Sequence, residues 1–135
     1  MREIKFRAWD EELKKMYSGD EIESEDNLDA WLSYGELAIY RMNEGDYIQL
    51  KPLQYTGEKD VHGNEIYEGD IVYQKFYDHR VEVAHGLTGV VKQEEGVWWI
   101  DNEADDAVRL WSELNLNHIK GNAFENPELL QGGNK

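Results

Sequence analysis

Residues 54–72, QYTGEKDVHGNEIYEGDIV, hold a dense succession of turn and strand signals. Gly57 interrupts a β-prone run, and DVHGN at residues 60–64 packs turn-forming residues around one glycine, which can adopt a positive φ without steric cost. The segment EIY then restarts extended structure, and Gly69-Asp70 turns the chain again before a β-branched run. We expect this double turn to position the strands on either side of it. It carries no recognisable chemistry.

Short β-prone runs and turn signals continue in both directions from this segment. The alternation of apolar and polar residues at positions 3–9 predicts a half-buried strand, and residues 43–45 (NEG) and 94–96 (EEG) predict hairpin turns. Gly86 and Gly89 suggest bends or bulges between two short strands. The pattern as a whole predicts a mainly β fold, a small barrel or pseudobarrel of many short strands with one or two short helices.

Helical signals are few. Leu28, Trp31 and Leu32 have the spacing of one face of a helix, and NPELL near the C-terminal end predicts one closing helical turn. Residues 18–35 are therefore expected to form a variable acidic loop and a short helix. Residues 131–135 are expected to be a frayed tail.

The length of 135 residues predicts a single domain over residues 1–135. The 40% of hydrophobic residues can close a small core, and the absence of cysteine excludes disulfides and thiolate metal sites. No apolar run approaches the roughly 18 residues that span a bilayer. The charged segment MREIKFRAWD also lacks the apolar core of a signal peptide. A cytoplasmic protein without membrane contact is expected.

The charge is strongly negative and unevenly distributed. The net charge is −15, and residues 18–46 hold nine acidic side chains and one basic one. An electronegative surface repels phosphate backbones, so nucleic acid is not expected as a partner. The same surface favours cationic partners or mimicry of nucleic acid.

Five blocks of the chain carry a family resemblance: residues 1–10 (MREIKFRAWD), 15–17 (KMY), 54–72, 119–122 (IKGN) and 125–130 (ENPELL). Together they resemble the YopX family of small phage and prophage proteins. They lie at the start, middle and end, so the resemblance covers nearly the whole chain. It implies a mostly β fold, a bacterial cytoplasm and an accessory role. It transfers no catalytic or cofactor-binding residue to this sequence.

No catalytic constellation is recognisable, and no cofactor is expected. The segment Asp101–Asp106 crowds four carboxylates, but an EF-hand counted from Asp101 would place Asp106 and Ser112 where glycine and glutamate are required. The four histidines lack the spacing of paired metal ligands; they are His62, His79, His85 and His118. A solvated loop is expected at Asp101–Asp106, with weak divalent-ion binding as the alternative.

Aromatic residues are the remaining candidates for a functional site. Trp98 and Trp99 are adjacent in a predicted strand, so their side chains should face opposite ways. Most aromatic residues are expected to pack in the core. A partner-binding role is predicted for exposed members of the set Tyr55, Tyr67, Trp98 and Trp99, because such residues are enriched at interface hot spots.

The leading hypothesis is a phage or prophage accessory protein that acts as a non-enzymatic protein-interaction module. Its partner would be an unknown protein or a second copy of the chain. A nucleic-acid-related role is the first alternative, through weak single-strand binding or through acidic DNA mimicry. A small metal-assisted enzyme that uses Asp101–Asp106 is the second.

Overall fold

The fold is described from a computed structural model that covers residues 5–78, 83–102, 107–111 and 116–130. Within that part, eleven strands and two short helices follow one another. They are β1 Phe6–Asp10, β2 Lys15–Tyr17, α1 Gly19–Ser24, β3 Leu28–Ser33, β4 Glu36–Asn43, β5 Asp46–Lys59, β6 Glu65–Tyr67, β7 Asp70–Asp78, β8 Val83–Glu94, β9 Val97–Asp101, β10 Ala107–Arg109, β11 Asn117–Asn122 and the 3-10 helix Pro127–Leu130. The prediction of a mainly β fold with one or two short helices is confirmed. Residues 131–135 lie outside the described part.

The chain divides into two compact units, residues 1–55 and 56–135. In the first unit, antiparallel strands follow the order β2-β1-β5-β4-β3, and the last residues of β5 continue into the second unit, where they pair with β6. The core of the first unit is formed by Ala8, Tyr17, Leu28, Ile39 and Leu50. The prediction of one domain over residues 1–135 stays a prediction.

The prediction of a helix at Leu28–Leu32 is wrong, because these residues belong to β3. This strand pairs with β4 in the register Ala30↔Ile39 and Trp31↔Ala38. Leu28 is buried in the core, whereas the side chain of Trp31 projects from the opposite face of the strand. Apolar residues whose spacing fits one face of a helix therefore lie on both faces of a strand here.

A helix lies instead at Gly19–Ser24, within the segment predicted to be an acidic loop. Ser18 accepts a hydrogen bond from the backbone N–H of Glu21, and the Glu21 carboxylate accepts one from the N–H of Ser18. This reciprocal capping box satisfies two N–H groups at the helix start. Ile22 packs against the core of the first unit and holds the short helix in place.

The second unit contains a five-stranded antiparallel sheet in the order β10-β9-β8-β7-β11. Its core consists of Ile66, Val72, Val91, Trp98, Ile100 and Leu110. Strand β8 runs without interruption through Gly86 and Gly89, where bends or bulges were expected, and its register with β7 is continuous. Both glycines give space to neighbours: a Cβ at Gly86 would collide with the Tyr73 ring, and one at Gly89 would lie 2.5 Å from the backbone oxygen of Asp101.

The double turn of residues 54–72 is bonded to a strand far away in the sequence. The Asp60 carboxylate accepts the N–H groups of His62 and Asn64, and Gly63 has a φ of +85°. The backbone N–H of Val61 donates to the carbonyl of Asn117 at 3.0 Å. The turn is thus bonded to β11, which is far from it in the sequence, whereas the prediction concerned only the strands on either side of the turn.

The predicted hairpin turns and the closing turn are confirmed. Residues 44–45 and 95–96 have positive φ values at both positions, as two-residue type I′ hairpins require. The segment NPELL forms the 3-10 helix Pro127–Leu130. No helix in the described part has the length and apolar character needed to traverse a membrane.

Candidate protein-interaction surface

Three aromatic side chains from three neighbouring strands meet on one face of the first unit's sheet. Trp31 in β3 stacks on Tyr40 in β4, with ring centroids 4.6 Å apart and an interplanar angle of 17°. Tyr47 in β5 stands edge-on to both rings, at 6.1 Å from Trp31 and 6.0 Å from Tyr40. Trp31, Tyr40 and Tyr47 are called the aromatic cluster below. Offset stacking and edge-to-face contacts are the arrangements that aromatic quadrupoles favour.

Strand register explains why these rings meet. Trp31 pairs with Ala38 and Tyr40 pairs with Asp29, so the two rings are diagonal neighbours on one face. Tyr47 pairs with Met42 and is in turn diagonal to Tyr40. The small side chain at Ala38, which is buried, leaves room for the neighbouring indole.

The aromatic cluster lies on the face opposite the core of the first unit and is open to solvent. Trp31 is 42% exposed and Tyr47 is 58% exposed. Two more exposed side chains lie close by: Tyr34, at 104%, in the turn between β3 and β4, and Leu32, at 74%, on the other face of β3. Exposed apolar side chains grouped in this way are typical of interaction sites rather than of inert surface.

Strand β3 also lies at an edge of its sheet in the described part of the chain. Edge strands leave one row of backbone N–H and C=O groups without a strand partner. The N–H of Ala30 donates to the carboxylate of the preceding Asp29 at 3.0 Å, and the N–H of Leu28 donates to the carbonyl of Glu25 at 3.2 Å. Local acceptors therefore satisfy two of the edge groups, and the edge continues to Leu32 without a paired strand beyond it.

The surroundings of the aromatic cluster are acidic. The single basic residue in the segment 18–46 is Arg41, which is buried and forms ion pairs with Asp10 and Glu12. The hydrogen bond from Arg41 to Asp10 raises the pKa of the guanidinium above its ordinary value. Eight carboxylates of this segment are exposed: Asp20, Glu23, Glu25, Asp26, Asp29, Glu36, Glu44 and Asp46.

Two of these carboxylates share the face of the aromatic cluster. Asp29 pairs with Tyr40 across the strands, and Glu36 lies two residues before Ala38 on the same face of β4. Lys51, farther along β5, lies on this face too and pairs with Trp9 of β1. The sheet face thus presents aromatic rings with acidic neighbours at the β3 side and a lysine at the β1 side.

The four partner-binding residues predicted from the sequence lie elsewhere. Tyr55 and Trp98 are buried, at 4% and 8% exposure, and Trp98 belongs to the core of the second unit. Tyr67 and Trp99 are half-buried: the Tyr67 hydroxyl donates to Glu65, and the Arg109 guanidinium lies 6.0 Å from the Trp99 ring centre. The prediction that Trp98 and Trp99 face opposite ways is confirmed.

Sequence reasoning missed the aromatic cluster, although a signal for it was present. The turn at residues 43–45 was predicted correctly, and a two-residue hairpin fixes the register of its strands. That register places Tyr40 and Tyr47 on one face. The third ring was missed because β3 was predicted to be a helix.

The described residues show no arrangement that supports the hypothesis of a metal site. The rings of His62 and His118 approach to 5.9 Å, but no group of three histidine or acidic side chains in the described part is arranged to hold a metal ion. Asp101 lies 3.8 Å from the Lys92 ammonium. Residues 103–106 and His79 lie outside the described residues, as does the side chain of His85.

The fold and this surface define an antiparallel β protein with two sheets and an exposed aromatic cluster beside a sheet edge. The chain belongs to the YopX family, whose model matches residues 5–131, and the resemblance noted in the sequence is confirmed. A similar solved structure is the crystal structure of protein EF1440 from Enterococcus faecalis, with a TM-score of 0.57 and 23% identity. The match covers 97% of this chain and 100% of the EF1440 chain, and the likeness shows a shared fold. No curated protein matches the chain.

Proposed function

We propose that the chain is a non-enzymatic protein-interaction module that binds its partner through the aromatic cluster and the edge strand β3. The observation that carries this proposal is the exposure of Trp31 and Tyr47 in a cluster of three rings. Tryptophan and tyrosine are the residues that most often dominate binding energy at interfaces. Fully burying one large apolar side chain contributes about 1.5–3 kcal/mol, so a partner that covers both rings gains substantial affinity.

The setting of this activity would be the bacterial cytoplasm, with the protein acting as an accessory factor of a phage or prophage. A module of this kind needs no catalytic residue, because its effect on the host comes from occupying a surface of another protein. Membership of the YopX family is consistent with that setting.

Acidic DNA mimicry is a second candidate function, supported by the eight exposed carboxylates of the segment 18–46. In this case the partner would be a basic DNA-binding protein. DNA would compete with the chain for that partner, and the double variant Trp31→Ala/Tyr47→Ala would bind it as the wild type does. A contact through the aromatic cluster would instead be lost in that variant, so the double variant separates the two candidates.

The proposed function is tested by affinity capture from a bacterial lysate with matched variants. The wild-type chain is compared with the double variant Trp31→Ala/Tyr47→Ala and with Trp111→Ala, which removes an exposed tryptophan, 62% exposed, from the second unit. We expect one protein to be retained by the wild type and by Trp111→Ala and lost with the double variant. Circular dichroism establishes that all three chains are folded. Equal retention by all three would refute the assignment of this surface.

A further inference from the structure

We infer that the partner contributes an extended, basic segment, which adds to the sheet beside β3 and sets a lysine or arginine side chain against Trp31. This inference rests on the proposed function and specifies the chemistry of the partner. It is built from three observations: the edge position of β3, the exposed surface of the Trp31 ring and the sign of the surrounding charge.

The backbone of β3 presents a short row of outward-facing groups. Along each strand of an antiparallel pair, residues whose backbone N–H and C=O groups point towards the partner strand alternate with residues whose groups point away from it. The N–H of Met42 donates to the carbonyl of Asn27, which directs residue 27 towards β4. Alternation then directs Leu28, Ala30 and Leu32 towards the free edge, in agreement with the bonds of the Leu28 and Ala30 N–H groups to acceptors outside β4.

An added strand therefore pairs with Ala30 and Leu32. Both residues are exposed, and the contact between the Ala30 N–H and the Asp29 carboxylate is local, so an incoming peptide carbonyl can replace it. The N–H of Leu28 is already bonded to Glu25, which limits the pairing to the half of β3 nearest the turn. This is the half that holds Trp31. Pairing with an exposed edge in this manner is an established mode of peptide recognition.

The indole of Trp31 has surface left to receive a side chain from such a strand. One face of the ring is covered by Tyr40 of β4. No ring of the aromatic cluster covers the other face, and the residue remains 42% exposed. Neighbouring strands place paired side chains on the same face of a sheet. A side chain of the added strand would thus lie beside Trp31 on the same sheet face, within reach of the exposed part of the indole.

The surrounding charge selects a cation for this position. Asp29 and Glu36 lie on the same sheet face as Trp31, and the segment 18–46 exposes eight carboxylates while its one arginine is buried. Tryptophan is the best aromatic acceptor for a lysine or arginine cation. A second copy of the chain is disfavoured as the occupant, because pairing β3 with another β3 would bring two such acidic segments together.

A panel of labelled eight-residue peptides tests the inference by fluorescence anisotropy on the full chain. The basic peptide alternates arginine and valine. In the neutral and acidic peptides, glutamine and glutamate replace arginine, and a fourth peptide is basic but N-methylated at alternate residues so that it cannot pair with a strand. We expect the basic peptide to bind and the neutral and N-methylated peptides to bind with an affinity lower by a factor of about ten or more. Added salt should weaken binding of the basic peptide.

Two variants locate the site, and one controls for it. Trp31→Ala should weaken binding of the basic peptide roughly tenfold. Ala30→Pro should do the same while leaving the fold intact, because the N–H of Ala30 is outside the ladder with β4 and proline is tolerated at such edge positions. Trp111→Ala should bind as the wild type does.

The outcomes separate this inference from the proposed function. If the neutral or acidic peptide binds as tightly as the basic one and Trp31→Ala abolishes that binding, the interaction surface stands and the basic partner is wrong. If the basic peptide binds Trp31→Ala and Ala30→Pro as tightly as it binds the wild type, both assignments fail. If no peptide binds, or if the chain forms a dimer that Trp31→Ala dissociates, the inference is overturned, and the lysate capture alone decides the proposed function.

Discussion

Replacing Asp60 by alanine should destabilise the second unit more than removal of any exposed carboxylate. Asp60 is 4% exposed. Its Oδ1 accepts the backbone N–H groups of His62 and Asn64 at 2.9 Å each, and its Oδ2 accepts the N–H of Ile119 at 3.4 Å. One carboxylate therefore closes the 60–64 turn and binds β11, which is 59 residues away in sequence.

The two short hydrogen bonds set the size of the effect. Hydrogen bonds to charged groups contribute about 1.5–3 kcal/mol each, and the longer contact to Ile119 contributes less. His62 and Asn64 are exposed, so water can replace part of what their N–H groups lose. We therefore expect Asp60→Ala to lower the free energy of unfolding by about 3 kcal/mol at neutral pH.

The effect should depend on pH in a definite direction. Burial raises the pKa of Asp60, but the backbone N–H groups of Asn64, His62 and Ile119 outweigh burial and lower the pKa below its usual 3.8. A lowered pKa in the folded state stabilises the fold above the pKa of the unfolded chain. That contribution is lost as the pH falls below about 3.8 and through the folded-state value. The difference between wild type and Asp60→Ala should therefore shrink in acid.

Urea unfolding followed by circular dichroism at pH 7 and pH 3 measures this difference. Amide hydrogen exchange in β11 reports whether the destabilisation includes the strand to which the turn is bonded. Asp46→Asn is the matched control, because Asp46 is an exposed carboxylate beside another turn and its loss should change stability by less than about 0.5 kcal/mol. If Asp60→Ala unfolds at the same urea concentration as this control, or if the difference is the same at both pH values, the reasoning is refuted.

Two further substitutions probe the first and second units. Arg41→Met should cost about 3–5 kcal/mol, because it leaves the fully buried Asp10 without its cation, and Arg41→Met/Asp10→Asn should recover part of the loss in urea unfolding. An Arg41→Met chain as stable as the wild type would contradict the ion-pair argument. Gly89→Ala should cost about 1–3 kcal/mol, because its Cβ would lie 2.5 Å from the backbone oxygen of Asp101. An unchanged thermal midpoint for Gly89→Ala would contradict this, because it would show that β9 moves without cost to accommodate the added methyl group.

Turns were the part of the fold that the sequence predicted best. The hairpins at residues 43–45 and 94–96 and the turn at 60–64 each contain a glycine at a position with positive φ. Such positions accept few other residues, so a local signal determines a local structure. Strand boundaries next to these turns were predicted for the same reason.

The β3–β4 hairpin could not be predicted by the same reasoning. Its turn has Tyr34 at φ +54° followed by Gly35, whereas asparagine, aspartate or glycine usually occupies the first of these positions. Without that signal, the spacing of Leu28, Trp31 and Leu32 matched a helix equally well. The choice between the two structures depends on pairing with β4, which is a tertiary contact that periodicity does not contain.

The elements that depart from local rules are also the elements that form the candidate surface. Tyr34 holds a backbone conformation that disfavours its side chain, and Trp31 and Leu32 leave large apolar groups in water on both faces of an edge strand. None of these three side chains belongs to the core cluster of the first unit, which is closed by Leu28, Ile39 and their neighbours. They therefore add little to that core, and local conflicts of this kind are found mainly at functional sites. If β3 forms the proposed interaction surface, substitutions at Tyr34 and Leu32 should change binding while the stability of the sheet is largely retained.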